Sequence, residues 1–197
     1  MYAVKKRCQW CLSNQKMIQY HDNEWGVPLN DDDKWFEYIL LESFQAGLSW
    51  QIILSKRDGF RQAFHQFDVN KVAQMSEVDI ERLKDSKNIV RNTLKIKATI
   101  NNAKAFISIQ KEFGSFNKYI WSFTDNKVIH NEFENIADIP TKTTLSDKVS
   151  KELIARGFKF VGSTICYAFL QASGIINDHS TDCFRYKEIK TIKFLDV

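Results

Sequence analysis

Trp35-Phe36-Glu37-Tyr38-Ile39-Leu40-Leu41-Glu42-Ser43-Phe44 is apolar on most sides when wound as a helix. A helix that is hydrophobic nearly all round is a buried one, so this stretch predicts the central helix of a packed core. Asp31, Asp32 and Asp33 precede it. They supply a cap and first-turn acids suited to the positive end of a helix. Gly47 and Ser49 break the chain near Gln45 and restart it. Glu42 sits inside the apolar run. A carboxylate there is paired with a cation elsewhere in the core, protonated, or used on a ligand.

Working outward, the helical pattern continues in both directions. Only two prolines and seven glycines interrupt 197 residues, and no alternating β-branched run reads as a strand. Helices are predicted over about 49–64, over 76–84 behind a Ser76/Asp79 capping box, over 93–112, 116–123 and 146–156, and over 162–172 with Gly174 as the stop. The expectation is an all-α fold in one domain spanning 1–197. Its helical body is 31–174, and its termini, 1–30 and 175–197, are expected to be irregular.

Composition narrows the class. The longest purely aliphatic runs, Ile39 to Leu41 and Ile52 to Leu54, are far too short to span a membrane. Met1 to Arg7 is basic, but the following Cys8 to Tyr20 is too polar for a secretory leader. A cytoplasmic protein with no membrane partner is expected. Its four cysteines are then core residues, reactive thiols or metal ligands rather than disulfides. The net charge of +4 is unevenly spread: Arg82 to Lys104 holds seven basic residues and one acid. Such a stripe suits a phosphate backbone, and equally suits a solvated helix face.

Two constellations carry chemistry. Cys8 and His21 lie near one end of the chain, and His179 and Cys183 near the other, four residues apart. Thiolate and imidazole are the preferred tetrahedral zinc ligands, and a metal clip between chain ends contributes directly to folding. Cys11 forms Cys8-Gln9-Trp10-Cys11, a common zinc half-site spacing. From spacing alone Cys8/Cys11/His179/Cys183 is as good a set as Cys8/His21/His179/Cys183. Cys166, in an apolar helix, reads as core. The second constellation is aromatic: Trp10, Tyr20, Trp25, Trp35, Tyr38 and Trp50 cluster in sequence around Glu42. Aromatic faces plus one acid suit a cationic heterocycle, through stacking and cation–π attraction.

Several ordered stretches resemble one family. They are Arg7-Cys8-Gln9-Trp10, Tyr20-His21-Asp22-Asn23-Glu24-Trp25-Gly26-Val27-Pro28, Leu41 through Trp50, Asn88-Ile89-Val90-Arg91-Asn92 with Lys95-Ile96, Gly157 through Gly162, and Thr164 through His179. Together they resemble the constitutive DNA-3-methyladenine glycosylase I family of the helix-hairpin-helix glycosylase superfamily. The resemblance spans about Arg7 to Cys183. It implies a helix-hairpin-helix glycosylase fold whose termini are joined by one structural zinc ion (Zn2+). The implied ligands are Cys8, His21, His179 and Cys183, to the exclusion of Cys11. It implies a base pocket with Glu42 as the catalytic or recognition acid and Tyr20, Trp50, Trp10 and Met17 around it. It also implies that the Gly47-Leu48 turn fills the gap left in the duplex, and that Arg91 and Lys95 belong to a DNA-anchoring hairpin.

The implied reaction is hydrolysis of the N-glycosidic bond of 3-methyladenine in double-stranded alkylated DNA, releasing the free base. The enzyme is expected to be a monomer. Three features depart from the family pattern. Met17 stands where a tyrosine is frequent, Cys11 adds a thiol beside the metal set, and no glycine occurs between Gly59 and Gly114 to make the superfamily's hairpin turn. The competing reading is a non-catalytic, zinc-clipped DNA-binding domain.

Overall fold

The computed structural model describes residues 5–192 and is mostly helical. Eleven α-helices occur among the described residues: α1 Gln15–Asn23, α2 Asp32–Gln45, α3 Trp50–Ser55, α4 Arg57–Ala63, α5 Val69–Ala73, α6 Glu77–Lys84, α7 Thr93–Phe113, α8 Phe116–Trp121, α9 Thr144–Ala155, α10 Ser163–Ala172 and α11 Phe184–Thr191. Two-residue strands β1 (Ile129–His130) and β2 (Ile176–Asn177) pair in parallel, Ile129 opposite Ile176. This small bridge adds to the all-α expectation without changing the class.

The core is organised by α2, every residue of which from Trp35 to Phe44 is buried. It packs against α3, α7, α8 and α10. Its start is over-determined. Asp31 accepts from the Asp33 amide at 2.9 Å. Asp32 reaches across to accept from the Phe116 and Asn117 amides at the start of α8, at 2.9 and 2.8 Å. One acid thereby serves two helix N-termini, where negative charge is favoured. Trp35 Nε1 donates to Asn117 Oδ1 at 2.9 Å, which satisfies the one polar atom of a fully buried indole.

The structure revises three expectations. The helix predicted over 49–64 breaks at Lys56 into α3 and α4. The break lets Gly59 of α4 approach the backbone of the 85–92 loop. A Cβ there would lie 2.1 Å from the Asn88 carbonyl oxygen, so only glycine fits. Lys56 Nζ ties the same loop by donating to Lys87 O at 2.7 Å. The described termini are irregular only in part, since α1 and α11 interrupt their coil and turn segments. Met17, Tyr20 and His21 form one buried face of α1, and Asn14 caps it by accepting from the Met17 amide. The outermost parts of the predicted termini, 1–4 and 193–197, lie outside the described residues. The third revision concerns the stretch between the helices predicted to end near 64 and begin at 76, for which no helix is predicted: it holds α5, a single short helix capped by Asp68 and packed on α7. No described helix is long and apolar enough to cross a membrane.

Candidate active site

A cavity of about 530 Å³ opens between α1, the C-terminal part of α2, α3 and α10. Trp10, Met17, Tyr20, Glu42 and Trp50 all line it, as the sequence suggests, and so do Trp25 and Gln171. The walls are aromatic and mutually braced. Tyr20 lies 5.2 Å from Trp50 and 6.4 Å from Trp10 between ring centroids, and Trp10 meets Trp25 edge-on at 5.0 Å. Gln171 is held by its amide nitrogen, which donates to Asp178 at 2.7 Å. Sequence reading passes over Gln171 because it lies on the apolar helix α10 with nothing local to mark it.

Three buried polar atoms on this cavity have no hydrogen-bond partner among the described residues: Glu42 Oε2, the Tyr20 hydroxyl and Trp50 Nε1. Leaving such groups unpaired costs roughly 1–3 kcal/mol each. Their convergence on one space marks a place built for a ligand that completes them. Glu42 is 3% exposed, and burial alone pushes its carboxyl up to about 8. Glu37, five residues earlier on α2, is also buried but fully paired. It meets Lys34 at 2.9 Å, Arg57 at 2.8 Å and Arg61 at 3.1 Å. Burial would raise it too, but Arg57 and Lys34 outweigh that and hold its carboxyl below the usual range. The half-buried Arg57 is committed to Glu37 and Glu24. Burial also keeps the Tyr20 phenol protonated, far above its ordinary range.

The second constellation assembles beside the cavity. Cys8, His21, His179 and Cys183 are all buried, and their donor atoms lie within 4.8 Å of one another. Cys183 Sγ is 3.4 Å from His21 Nε2 and 3.6 Å from His179 Nδ1, and Cys8 Sγ is 3.6 Å from His179 Nδ1. A tetrahedral zinc ion with thiolate and imidazole ligands has a sulfur–nitrogen edge of about 3.5 Å, so the four residues fit a metal of that kind. The other ring nitrogens are engaged as metal-ligating histidines require. His21 Nδ1 meets Asp22 Oδ1 at 2.8 Å, and His179 Nε2 donates to Trp25 O at 3.0 Å. Asp22 is itself gripped by Arg7 through Nε at 3.0 Å and Nη2 at 2.9 Å. Burial would raise the Asp22 carboxyl, but Arg7 and His21 together bring it below the usual range. A carboxylate directly after a predicted ligand histidine was the available signal for Asp22.

Cys11 is not part of the cluster. Its thiol donates to the Cys8 carbonyl at 3.1 Å, and burial raises it to about 11. The open choice between Cys11 and His21 is thus resolved by geometry in favour of His21. Cys166 is core, with its thiol donating to Val161 O.

The Gly47-Leu48 turn stands at the rim, between α2 and α3. Gly47 has φ +78°, in the left-handed region that favours glycine, and the space around it is open. Leu48 is exposed. Three of the seven cations in the basic stripe are paired. Arg82 pairs with Asp79, Lys84 with Glu81 and Lys97 with Glu77, all acids lying just outside the segment. Arg91 is exposed in the loop before α7. Lys95 corrects the expectation of a phosphate-facing cation: it is 6% exposed, and its ammonium donates inward to Phe44 O at 2.7 Å and Ala46 O at 2.5 Å.

Comparison with known proteins adds to this geometry. A family profile described as Methyladenine glycosylase matches residues 10–186. DNA-3-methyladenine glycosylase 1 of Escherichia coli (strain K12) is 48% identical over 181 residues, 92% of this chain and 97% of that one. A crystal structure of 3-methyladenine DNA glycosylase I superposes with a TM-score of 0.88 at 48% identity, covering 91% of this chain and 98% of that one. The Staphylococcus aureus enzyme, solved to explain its recognition of 3-methyladenine, superposes with a TM-score of 0.88 at 36% identity, covering 92% and 97%.

Proposed function

The chain belongs to the methyladenine glycosylase family, and on that premise we propose that it hydrolyses the N-glycosidic bond of 3-methyladenine in double-stranded alkylated DNA and releases the free base. The observation that carries this reading is the triad of unpartnered atoms, Glu42 Oε2, Tyr20 OH and Trp50 Nε1, around one aromatic cavity. Methylation at N3 leaves the adenine ring positively charged. A charged, electron-poor ring gains from stacking and from cation–π attraction, and it supplies the opposite charge that Glu42 lacks.

The nucleotide is extruded from the duplex to reach the cavity, and Trp10, Tyr20, Trp50 and Met17 receive the base. Glu42, whose carboxyl burial holds up to about 8 in the free protein, gives its proton to solvent as the cation arrives and accepts hydrogen bonds from the amino-bearing edge. The bond from C1′ to the base nitrogen breaks with its electron pair going to the ring, which neutralises the ring charge. Water adds to C1′ and loses its proton to solvent. Glu42 steadies the positive charge as it moves onto the sugar.

Cys8, His21, His179 and Cys183 would hold one structural zinc ion, since four protein ligands leave no open position for water. Its contribution is to join the chain ends and to fix the pocket walls. Trp10 follows Cys8 by two residues, Tyr20 precedes His21, and the Trp25 ring lies 4.6 Å from His179. The helix-hairpin-helix reading is supported by α6, the 85–92 loop and α7, with Asn92 capping α7 by accepting from the Lys95 amide at 3.1 Å. Arg91 contacts phosphate there, and Gly47-Leu48 fills the vacated stack. The protein acts as a cytoplasmic monomer. A non-catalytic DNA-binding domain has no use for a buried, unpaired carboxyl facing a cavity.

The test is incubation with methylated duplex DNA and chromatography of the released bases. Release of 3-methyladenine is expected. DNA binding with no base released would establish the non-catalytic reading instead.

A further inference from the structure

Lys95 is in an unexpected place. It sits in the first turn of α7, where the helix dipole disfavours a cation, and it is buried. No carboxylate among the described residues pairs with its charge, and burial lowers its pKa. What surrounds the ammonium is the C-terminal end of α2. Phe44 O and Ala46 O both accept from it, and the Phe160 ring lies 5.8 Å away. Phe160 itself has φ +56°, a conformation that a bulky residue adopts only under constraint. Asn102, two turns further along α7, holds the neighbouring residue by exchanging hydrogen bonds with the Lys159 backbone at 3.0 and 2.8 Å.

Resting on the glycosylase reading above, we infer that Lys95 is a positioning residue: it locks the Ala46-Gly47-Leu48 turn and the end of the Glu42 helix to the start of α7, so that hairpin and rim engage the duplex in one register. The carbonyls it holds lie two residues after Glu42 and two before Leu48. A helix C-terminus leaves carbonyls unpaired and carries partial negative charge. The usual remedy is a glycine-based cap. Here Gly47 is free for the exposed turn because the ammonium of Lys95 closes α2 from outside. The same side chain is anchored through its backbone at the Asn92 cap, so a load on the loop before α7 is passed directly to the rim.

A double-mutant cycle tests this. Single-turnover excision from methylated duplex is measured for wild type, Lys95→Met, Leu48→Ala and the double variant, with titration of free 3-methyladenine and the salt dependence of binding to undamaged duplex alongside. Lys95→Met is expected to slow excision by about 10- to 100-fold, with free-base affinity and salt slope unchanged. Leu48→Ala is expected to cost much less in the Lys95→Met background than in wild type, because the wedge is already out of register. A salt slope reduced by about one ion would make Lys95 a phosphate ligand and overturn the inference. So would an equal cost of Leu48→Ala in both backgrounds, which is the signature of a residue that only stabilises the fold. Should Lys95→Met not fold, Lys95→Gln, which keeps one donor, goes through the same cycle under the same criteria. A wild type that releases no 3-methyladenine sinks the glycosylase reading itself, whereas an active wild type with an additive cycle sinks only the role of Lys95.

Discussion

In the Cys8/His21/His179/Cys183 cluster both imidazoles have each ring nitrogen engaged, and Asp22 behind them is held by a two-pronged guanidinium. Across Trp10 and Tyr20 lies a cavity whose Glu42, Tyr20 and Trp50 each present a buried polar atom with nothing to bond. The two regions share chain segments and burial, and they differ in whether their polar groups are satisfied. Satisfied groups hold the fold, and unsatisfied ones wait for a ligand. Helix α2 repeats the contrast on a smaller scale, with Glu37 ringed by three cations and Glu42 by none.

The sharpest way to break the comparison is at the clip. Cys183→Ser should abolish one-per-chain metal binding and lower stability by about 4 kcal/mol or more, seen by metal analysis and thermal melting. Cys11→Ser should leave metal content unchanged. Equal metal loss in both would overturn the ligand set.

At the cavity the effect falls on function rather than fold. Glu42→Gln should bind free 3-methyladenine, which leaves the DNA as a neutral base, more weakly by roughly 0.5–1.5 kcal/mol, the worth of one hydrogen bond. Excision should drop about 100-fold, and undamaged duplex should be bound as before. A variant that binds and excises like wild type would make Glu42 a structural acid.

The same substitution has a pH signature. Burial raises the Glu42 carboxyl from 4.5 to about 8, so the folded state holds this proton more tightly than the unfolded state does. Wild type therefore loses stability as pH rises from about 4.5 towards 8, and does not regain it above. Glu42→Gln lacks that loss. Its melting temperature relative to wild type should rise between about pH 5 and pH 8.5, and a pH-independent difference would mean Glu42 is already ionised and compensated. The smallest effect is expected in the loop before α7. Arg91→Ala should flatten the salt dependence of DNA binding by about one ion without altering free-base affinity, and an unchanged slope would reduce Arg91 to a solvated cation.

Much of this was legible in the chain itself. Local patterns suffice where the physics is local: the Asp31 cap, the Ser76/Asp79 box and the all-round apolar run of α2 each follow from neighbours a few residues apart. The aromatic set and the candidate ligands were likewise visible as residue types. The terminal helices α1 and α11 were not, because their sequences are polar and only their Met17/Tyr20/His21 and Tyr186/Ile189 faces find partners.

Tertiary structure alone decided the rest. Cys11 and His21 are equivalent by spacing, and only the fold brings Nε2 of His21 to Cys183, 162 residues away. Glu37 and Glu42 are both acids on a buried helix, and only packing gives one its arginines and leaves the other facing a cavity. Lys95 reads as one cation of a basic stripe until α2 places two carbonyls within its reach. In each case the deciding partner lies at least 20 residues away in sequence. Charge and hydrogen bonding act over a few ångströms, so a partner that distant is chosen by the fold and leaves no mark on the residues beside it.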